Sequence, residues 1–237
     1  MKIDYAVVSS DDSEYLDYWP CVAAAWRQIG ITPVLMYVGT RTDLTYFRRY
    51  NLPPISGIKP SLQAQIARIW AFKLLQGNCI LSDIDMMPLS GQYFHGTAEP
   101  YAEDTIVSYC ADGRDKFGQY HPICYVLANS AVMAPLIEQP DWETFVRDLA
   151  QRGGEGWFTD QWWLTKLMEQ HGKIACINRG FGTNGAADRR LDRRVGGYRE
   201  EDLREGKFVD AHLPRPFHRY REEIERLVNL VGNTRDL

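Results

Sequence analysis

The chain has 237 residues, is 45% hydrophobic and carries a formal net charge of -4. The apolar content supports a sizeable core and argues against disorder, and the acidic balance gives no broad basic field, which disfavours nucleic acid as the main partner. No apolar run is long enough for a transmembrane segment, and Met1-Lys-Ile-Asp-Tyr-Ala-Val-Val8 has the character of a strand, not of a signal peptide.

The length suits one large α/β domain over residues 1–237. Residues 2–8 are expected as a buried first strand, followed by the polar turn Ser9-Ser10-Asp11-Asp12-Ser13. A helix is expected from about Glu14 to Gln28 despite Pro20, with Gly30 ending it. Thr32–Val38 is a second strand closed by Gly39, and Asp43–Tyr50 is expected as a short helix before the breaker Asn51-Leu-Pro-Pro54. In Ser61–Gln76, Leu62, Ile66, Ile69, Trp70 and Leu74 recur at helical spacing, with Ser61 as the expected N-cap and Gly77 as the stop. An apolar strand follows at once. Helix-to-strand order with short connections indicates parallel βα units in a layered, mostly parallel sheet flanked by helices.

Further along, Asp104–Cys110 and Ile123–Ala128 are expected as strands, and Trp142–Arg152 and Thr159–Gln170 as helices. Lys173–Ile177 is a further strand. Arg179–Arg199 is rich in Arg, Gly and Asp and lacks hydrophobic periodicity, the pattern of a long functional loop. Phe208–His212 is a short strand, and residues 217–231 form a charged amphipathic helix. Five dispersed cysteines without a Cys-x-x-Cys suggest buried free thiols in a reducing, cytoplasmic compartment. The seven tryptophans and thirteen tyrosines are assigned to core and interface packing.

The stretch that carries chemistry is Asn78-Cys-Ile-Leu-Ser-Asp83-Ile-Asp85-Met-Met-Pro88. If the strand continues through them, Asp83 and Asp85 point to the same face. Two such carboxylates repel unless a cation lies between them. Mg²⁺ or Mn²⁺ would answer this with oxygen ligands and keep positions for phosphate oxygens. Ser9 and Ser10 end the first strand, where open α/β sheets bind nucleotides. Arg189-Arg190-Leu-Asp192-Arg193-Arg194 offers guanidinium forks suited to a diphosphate, and its place in the chain suggests a lid over the donor.

Together these stretches resemble a nucleotide-sugar glycosyltransferase of the GT-A fold. The helix Gln65-Ile-Ala-Arg68-Ile-Trp-Ala-Phe-Lys73 and the Asp83-Ile-Asp85 strand resemble the Arg-bearing helix and metal-binding strand of such enzymes. Trp157-Phe-Thr-Asp160-Gln161 resembles their "Asp-Gln" helix start, and Asp210-Ala-His212-Leu-Pro-Arg215-Pro216 their C-terminal metal-site segment. Asp-Ile-Asp-Met-Met-Pro-Leu, Thr-Asp-Gln and Arg-Arg-Leu-Asp-Arg are similar to the small, rhamnosyltransferase-like glycosyltransferase domains of large algal viruses and their bacterial relatives.

The resemblance implies a nucleotide-binding half over about 1–90 and an acceptor-binding, catalytic half over about 91–237. It implies Asp85 as first metal ligand, with Asp83 and His212 as further ligands, and Asp83 and Arg68 as donor contacts; Arg190, Arg193, Ser9 and Ser10 join the donor contacts by their chemistry and place in the chain, since the better-known retaining families do not share the Arg189–Arg194 loop in this form. Asp160 is then the catalytic residue, as general base or as a positioning group. The partners implied are a nucleotide-sugar donor (UDP- or dTDP-linked) and a glycan or glycoconjugate acceptor, and the cofactor is Mn²⁺ or Mg²⁺. A hexosyl or deoxyhexosyl group would be moved, with retention suggested by the Asp-Gln start and the C-terminal His. The rival readings are a metal-dependent phosphohydrolase and a non-catalytic nucleotide- or carbohydrate-binding domain.

Overall fold

The computed structural model describes residues 1–41, 47–113, 119–154, 156–180, 189–193 and 198–233. The elements run β1 (Tyr5–Ser10), α1 (Trp19–Gln28), β2 (Thr32–Val38), β3 (Arg48–Leu52), α2 (Pro60–Leu74), β4 (Asn78–Leu81) and β5 (Met86–Pro88). They continue α3 (Gly91–Ala98), β6 (Ile106–Ser108), β7 (Val126–Asn129), α4 (Ser130–Met133), α5 (Trp142–Gly153), α6 (Thr159–His171) and β8 (Ile174–Cys176). The last are β9 (Arg190–Asp192), α7 (Glu200–Arg204), β10 (Asp210–His212) and α8 (Arg221–Asn233). Among the described residues no helix is long and apolar enough to cross a membrane.

Seven strands form the central sheet in the order β3-β2-β1-β4-β7-β6-β8. β1 pairs parallel with both β2 and β4, β2 with β3, and β6 with β8; only β7 runs against its neighbours β4 and β6. The mostly parallel α/β architecture expected from the βα order is therefore present. Parallel strands covered on both faces read as continuous apolar runs. Pro33–Val38 and Asn78–Leu81 are accordingly buried throughout. One face packs under α1, α8 and the second sheet, with Trp26, Phe94, Tyr109 and Tyr125 at its centre. The other lies under α2, α5 and α6, around Ile66, Trp70, Phe145 and Leu164.

α2 carries the site and shows how the local sequence sets it. Pro60 occupies its first turn, where the missing N–H is no loss and φ is already helical. The N-cap is thus Lys59, not the expected Ser61, which lies inside the first turn. Leu62, Ile66, Ile69 and Trp70 are buried, while Leu74, the last of the periodic set, is 38% exposed at the helix end. Gly77, at φ +118°, turns the chain into β4; a Cβ there would lie 2.7 Å from the Asp4 carboxylate.

A smaller sheet holds β5, β10 and β9, with β10 antiparallel to β5 and parallel to β9. Asp210, fully buried on β10, accepts from Arg179 Nη1 at 2.7 Å and from Arg190 Nη2 at 2.8 Å. Burial pushes this carboxyl up, but the two guanidiniums reverse the effect and hold it well below the usual range.

Several local expectations differ from the structure. Residues 48–50 begin the edge strand β3 instead of ending a helix; positions 43–46 of that expected helix lie outside the described residues. Arg48-Arg-Tyr-Asn carries too few apolar residues for periodicity to decide, and pairing with β2 decides instead. The expected long loop contains β9, so Arg190 and Arg193 belong to a sheet and its edge; Arg194 lies outside the described residues. The cysteines are free, but Cys176 is exposed and Cys21 and Cys124 are only partly covered.

Removing Asp210 takes the shared carboxylate from two buried guanidiniums. Asp210→Ala should lower stability by about 3–5 kcal/mol, read as a reduced urea midpoint; an unchanged midpoint would show that solvent reaches both arginines.

Candidate active site

β1 and β4 end side by side, and the chain beyond each opens into a cleft of about 540 Å³. Ser9, Ser10, Arg68, Asp83, Asp85, Asp160, Arg190, Arg193 and His212 all line it, so the residues singled out in the sequence share one cavity although they span 204 positions, from 9 to 212 inclusive. β4 stops at Leu81, so strand alternation does not aim the two acids as the sequence suggested. Asp83 and Asp85 instead sit in the turn between β4 and β5, with Ser82 N bonded to Val7 O at 2.9 Å and Met86 N to Asp83 O at 3.1 Å.

Arg68 organises the cleft floor. Its side chain is 6% exposed and forms ion pairs with Asp83 and, at 2.8 Å, with Asp160. It also donates to Ser82 O at 3.0 Å. Asp160 lies in the first turn of α6, beyond the N-cap Phe158, and its Oδ1 accepts from Gln161 N at 2.8 Å. Burial raises the Asp160 carboxyl above its ordinary value, and Arg68 offsets this only in part. Burial also pushes Asp83 up, but Arg68 brings it below the ordinary value. One cation is shared by two acids, and their other neighbours split them: Cys124 and His212 further lower Asp83, whereas the Asp83 charge further raises Asp160.

On the other wall, Asp85 meets the second sheet. Its Oδ2 lies 3.3 Å from His212 Nε2 and 3.6 Å from Arg215 Nε, and its carbonyl accepts from Leu213 N at 2.8 Å. His212 Nδ1 lies 2.9 Å from Asp192 Oδ1, and its Nε2 lies 2.7 Å from Arg193 Nη2. A guanidinium only donates, so the Arg193 contact makes Nε2 an acceptor and places the ring proton on Nδ1, facing Asp192. Burial pulls His212 down while Asp85 and Asp192 more than reverse it, a net upward shift favouring the charged ring. That charge conflicts with the Arg193 contact, and the 2.7 Å geometry decides for the neutral tautomer. Arg215 also donates to Tyr15 Oη and stacks over its ring at 5.2 Å.

These donors bear directly on a divalent ion. Two ligands at adjacent corners of an octahedron of radius about 2.1 Å are separated by about 3 Å. Asp85 Oδ2 and His212 Nε2, at 3.3 Å, fit that edge. The tautomer fits as well, because ligating histidines direct their second nitrogen to a carboxylate, although Arg193 Nη2 holds the Nε2 lone pair and would have to yield it to an ion. No group of three or more His, Cys, Asp or Glu converges among the described residues, and Asp83 faces Arg68 instead. The pair would leave the remaining positions to phosphate oxygens and water, as Mg²⁺ and Mn²⁺ tolerate.

Other lining residues escaped the sequence reading. Asp192 lay in a charged loop with nothing to mark its partner, Tyr15 and Trp157 were assigned to packing, and Arg215 was quoted within its motif but given no role. Gln161 Oε1 is buried without a hydrogen-bond partner among the described residues.

No family model and no curated protein matches the chain. Solved structures do. The glycosyltransferase GlyE of Streptococcus pneumoniae TIGR4 is similar over 97% of this chain at 12% identity, with a TM-score of 0.54; this chain spans 63% of the GlyE chain. An active-site mutant of LgtC matches over 97% of this chain and 95% of its own, at 14% identity and a TM-score of 0.50. A glycosyltransferase involved in the glycosylation of the major capsid of PBCV-1 covers 95% of this chain and 99% of its own, at 9% identity and a TM-score of 0.46. The first two likenesses show the fold: the chain has the GT-A glycosyltransferase fold, as its motifs suggested.

Arg68→Leu would leave Asp83 and Asp160 facing each other without a cation. The expected loss is about 3–5 kcal/mol by urea denaturation, and removing one of the two like charges with Asp160→Asn in the same chain should recover part of it. A double variant no more stable than Arg68→Leu would rule out the shared-cation account.

Proposed function

We propose that this chain is a divalent-metal-dependent glycosyltransferase that moves a hexosyl or deoxyhexosyl group from a UDP- or dTDP-linked donor to a glycan hydroxyl. The observation that carries the proposal is the juxtaposition of the Asp85–His212 pair with the Arg68-clamped Asp83 and Asp160 in one cleft beyond β1 and β4. Ligands of open α/β sheets bind beyond the carboxyl ends of such strands. The choice of uridine or thymidine rests on fold-level analogy.

In this reading Asp85 and His212 hold Mn²⁺ or Mg²⁺, with Asp192 fixing the imidazole. Such an ion, when bound, would supply positive charge for the leaving diphosphate. Arg190, Arg193 and Arg215 border the same wall and add fixed positive charge for the phosphates; Arg190 shares Asp210 with Arg179, so the group of three carries net charge. Ser9 and Ser10 lie at the end of β1 and contact the nucleoside. Asp83 holds donor hydroxyls, and Arg68 keeps it ionised.

Asp160 decides the stereochemical reading. An inverting enzyme needs a base free to take the acceptor proton. Here Oδ2 is engaged by Arg68 and Oδ1 by Gln161 N, so the carboxylate is fixed and both of its oxygens already accept hydrogen bonds. That arrangement suits a group that positions substrates and stabilises positive charge on the sugar. Retention follows as the favoured outcome.

Thermal shift tests the binding half of this reading. Mn²⁺ together with UDP or dTDP should stabilise the protein far more than either alone, by about 2.7 kcal/mol at a hundred times Kd. Asp85→Ala should abolish the joint effect, and Asp192→Ala should weaken the metal about 10–100-fold. Full activity of Asp85→Ala in excess chelator would rule out the metal role, and turnover of a simple phosphate ester would favour a phosphohydrolase. The stereochemical half is checked separately by NMR. The anomeric configuration of the product should equal that of the donor; an inverted product would make Asp160 the general base.

A further inference from the structure

Three large hydrophobic side chains are exposed among the described residues, and two of them, Trp157 at 65% and Phe158 at 39%, are consecutive and line the cleft. Core packing, the use made of most aromatic side chains here, does not account for them. Their backbone is held in place. Thr159 Oγ1 lies 3.0–3.3 Å from the carbonyls of Gly153, Gly154 and Gly156, and Gln65 Nε2 lies 3.5 Å from Trp157 O. Two primary amides, Gln65 and Gln161, border the same wall, and the second presents a buried Oε1 without a partner among the described residues. An exposed indole beside amides matches the needs of a pyranose: an aromatic face for its C–H side, and donors and acceptors for its hydroxyls.

The cleft has two chemically distinct walls. Arg190, Arg193, Arg215, Asp85 and His212 come from the second sheet and the chain beside it, and suit charge. Trp157, Phe158, Gln65 and Gln161 come from α2 and the start of α6, carry no formal charge, and adjoin Asp160. We propose that Trp157, with Phe158, Gln65 and Gln161, forms the acceptor subsite, a platform on which a neutral pyranose of the glycan acceptor stacks. This rests on the transferase reading above and adds to it the residues that choose the acceptor.

The test compares wild type with Trp157→Ala and Trp157→Phe, using the methyl glycosides of glucose, galactose, rhamnose and N-acetylglucosamine as acceptors. Trp157 is exposed, so neither variant disturbs the core. For the glycoside used best, Trp157→Ala should raise acceptor KM on the order of tenfold, the size of one lost stacking contact. Trp157→Phe should recover most of it, while donor hydrolysis in water and nucleotide affinity stay at wild-type values. An unchanged acceptor KM, a parallel fall in nucleotide affinity, or a wild type that hydrolyses donor yet responds to none of these glycosides overturns the assignment. A wild type that neither transfers nor hydrolyses any nucleotide sugar overturns the transferase reading itself.

Discussion

One buried guanidinium sets the geometry of this cleft. Arg68 reaches from α2 to the turn after β4 through Asp83 and to the start of α6 through Asp160. Three segments, one of them 92 residues further along the chain, thus meet on a single cation. Such a cluster is a poor source of stability by itself, because desolvating the ions costs as much as their attraction returns. Its contribution is positional. A planar fork with several donors fixes the direction of each carboxylate in a way a lysine ammonium would not.

The second sheet depends on a similar arrangement with the signs reversed. Asp210 is one carboxylate between two arginines, as Arg68 is one cation between two acids. Asp210 sits two residues before His212 on β10, and Arg190 two residues before Asp192 on β9. β9 and β10 pair in parallel with Asp192 opposite His212, so the buried salt bridge and the His212–Asp192 hydrogen bond are alternate rungs of one ladder, with Ala211 and Leu191 between them. The buried rung fixes the register that places the imidazole within reach of Asp85. A slip of one residue would turn Asp192 and His212 to the opposite face.

Much of this was legible in the sequence, and the parts that were not share a cause. The parallel core was readable because strands buried on both faces are written as apolar runs, as in Thr32–Val38. The cavity-lining acids were readable because they follow such a run directly. β9 was not readable: Arg190-Leu-Asp192 has one buried apolar residue, and its strand state comes from pairing with β10. Asp192 was missed for the same reason, since its partner lies 20 residues away. Trp157 was missed because composition treats every tryptophan alike; only the fold separates Trp26, fully buried, from Trp157 at the cleft rim.

The two ion clusters also divide the labour of the cleft. Asp83 and Asp160 share one guanidinium, and the balance leaves the Asp83 carboxyl below its ordinary value and the Asp160 carboxyl above it. The acid nearer solvent stays charged beside the arginine-lined wall. The deeper acid, beside the aromatic and amide wall, is fixed by hydrogen bonds at both oxygens. A group so held cannot swing to follow a proton, but it needs no reorganisation when charge develops next to it, which is how preorganised electrostatics lower a barrier. The hydrogen bonds that occupy both oxygens of Asp160 therefore make it a fixed dipole at the junction of the two walls, where a bond between a charged donor and a neutral acceptor would have to be exchanged.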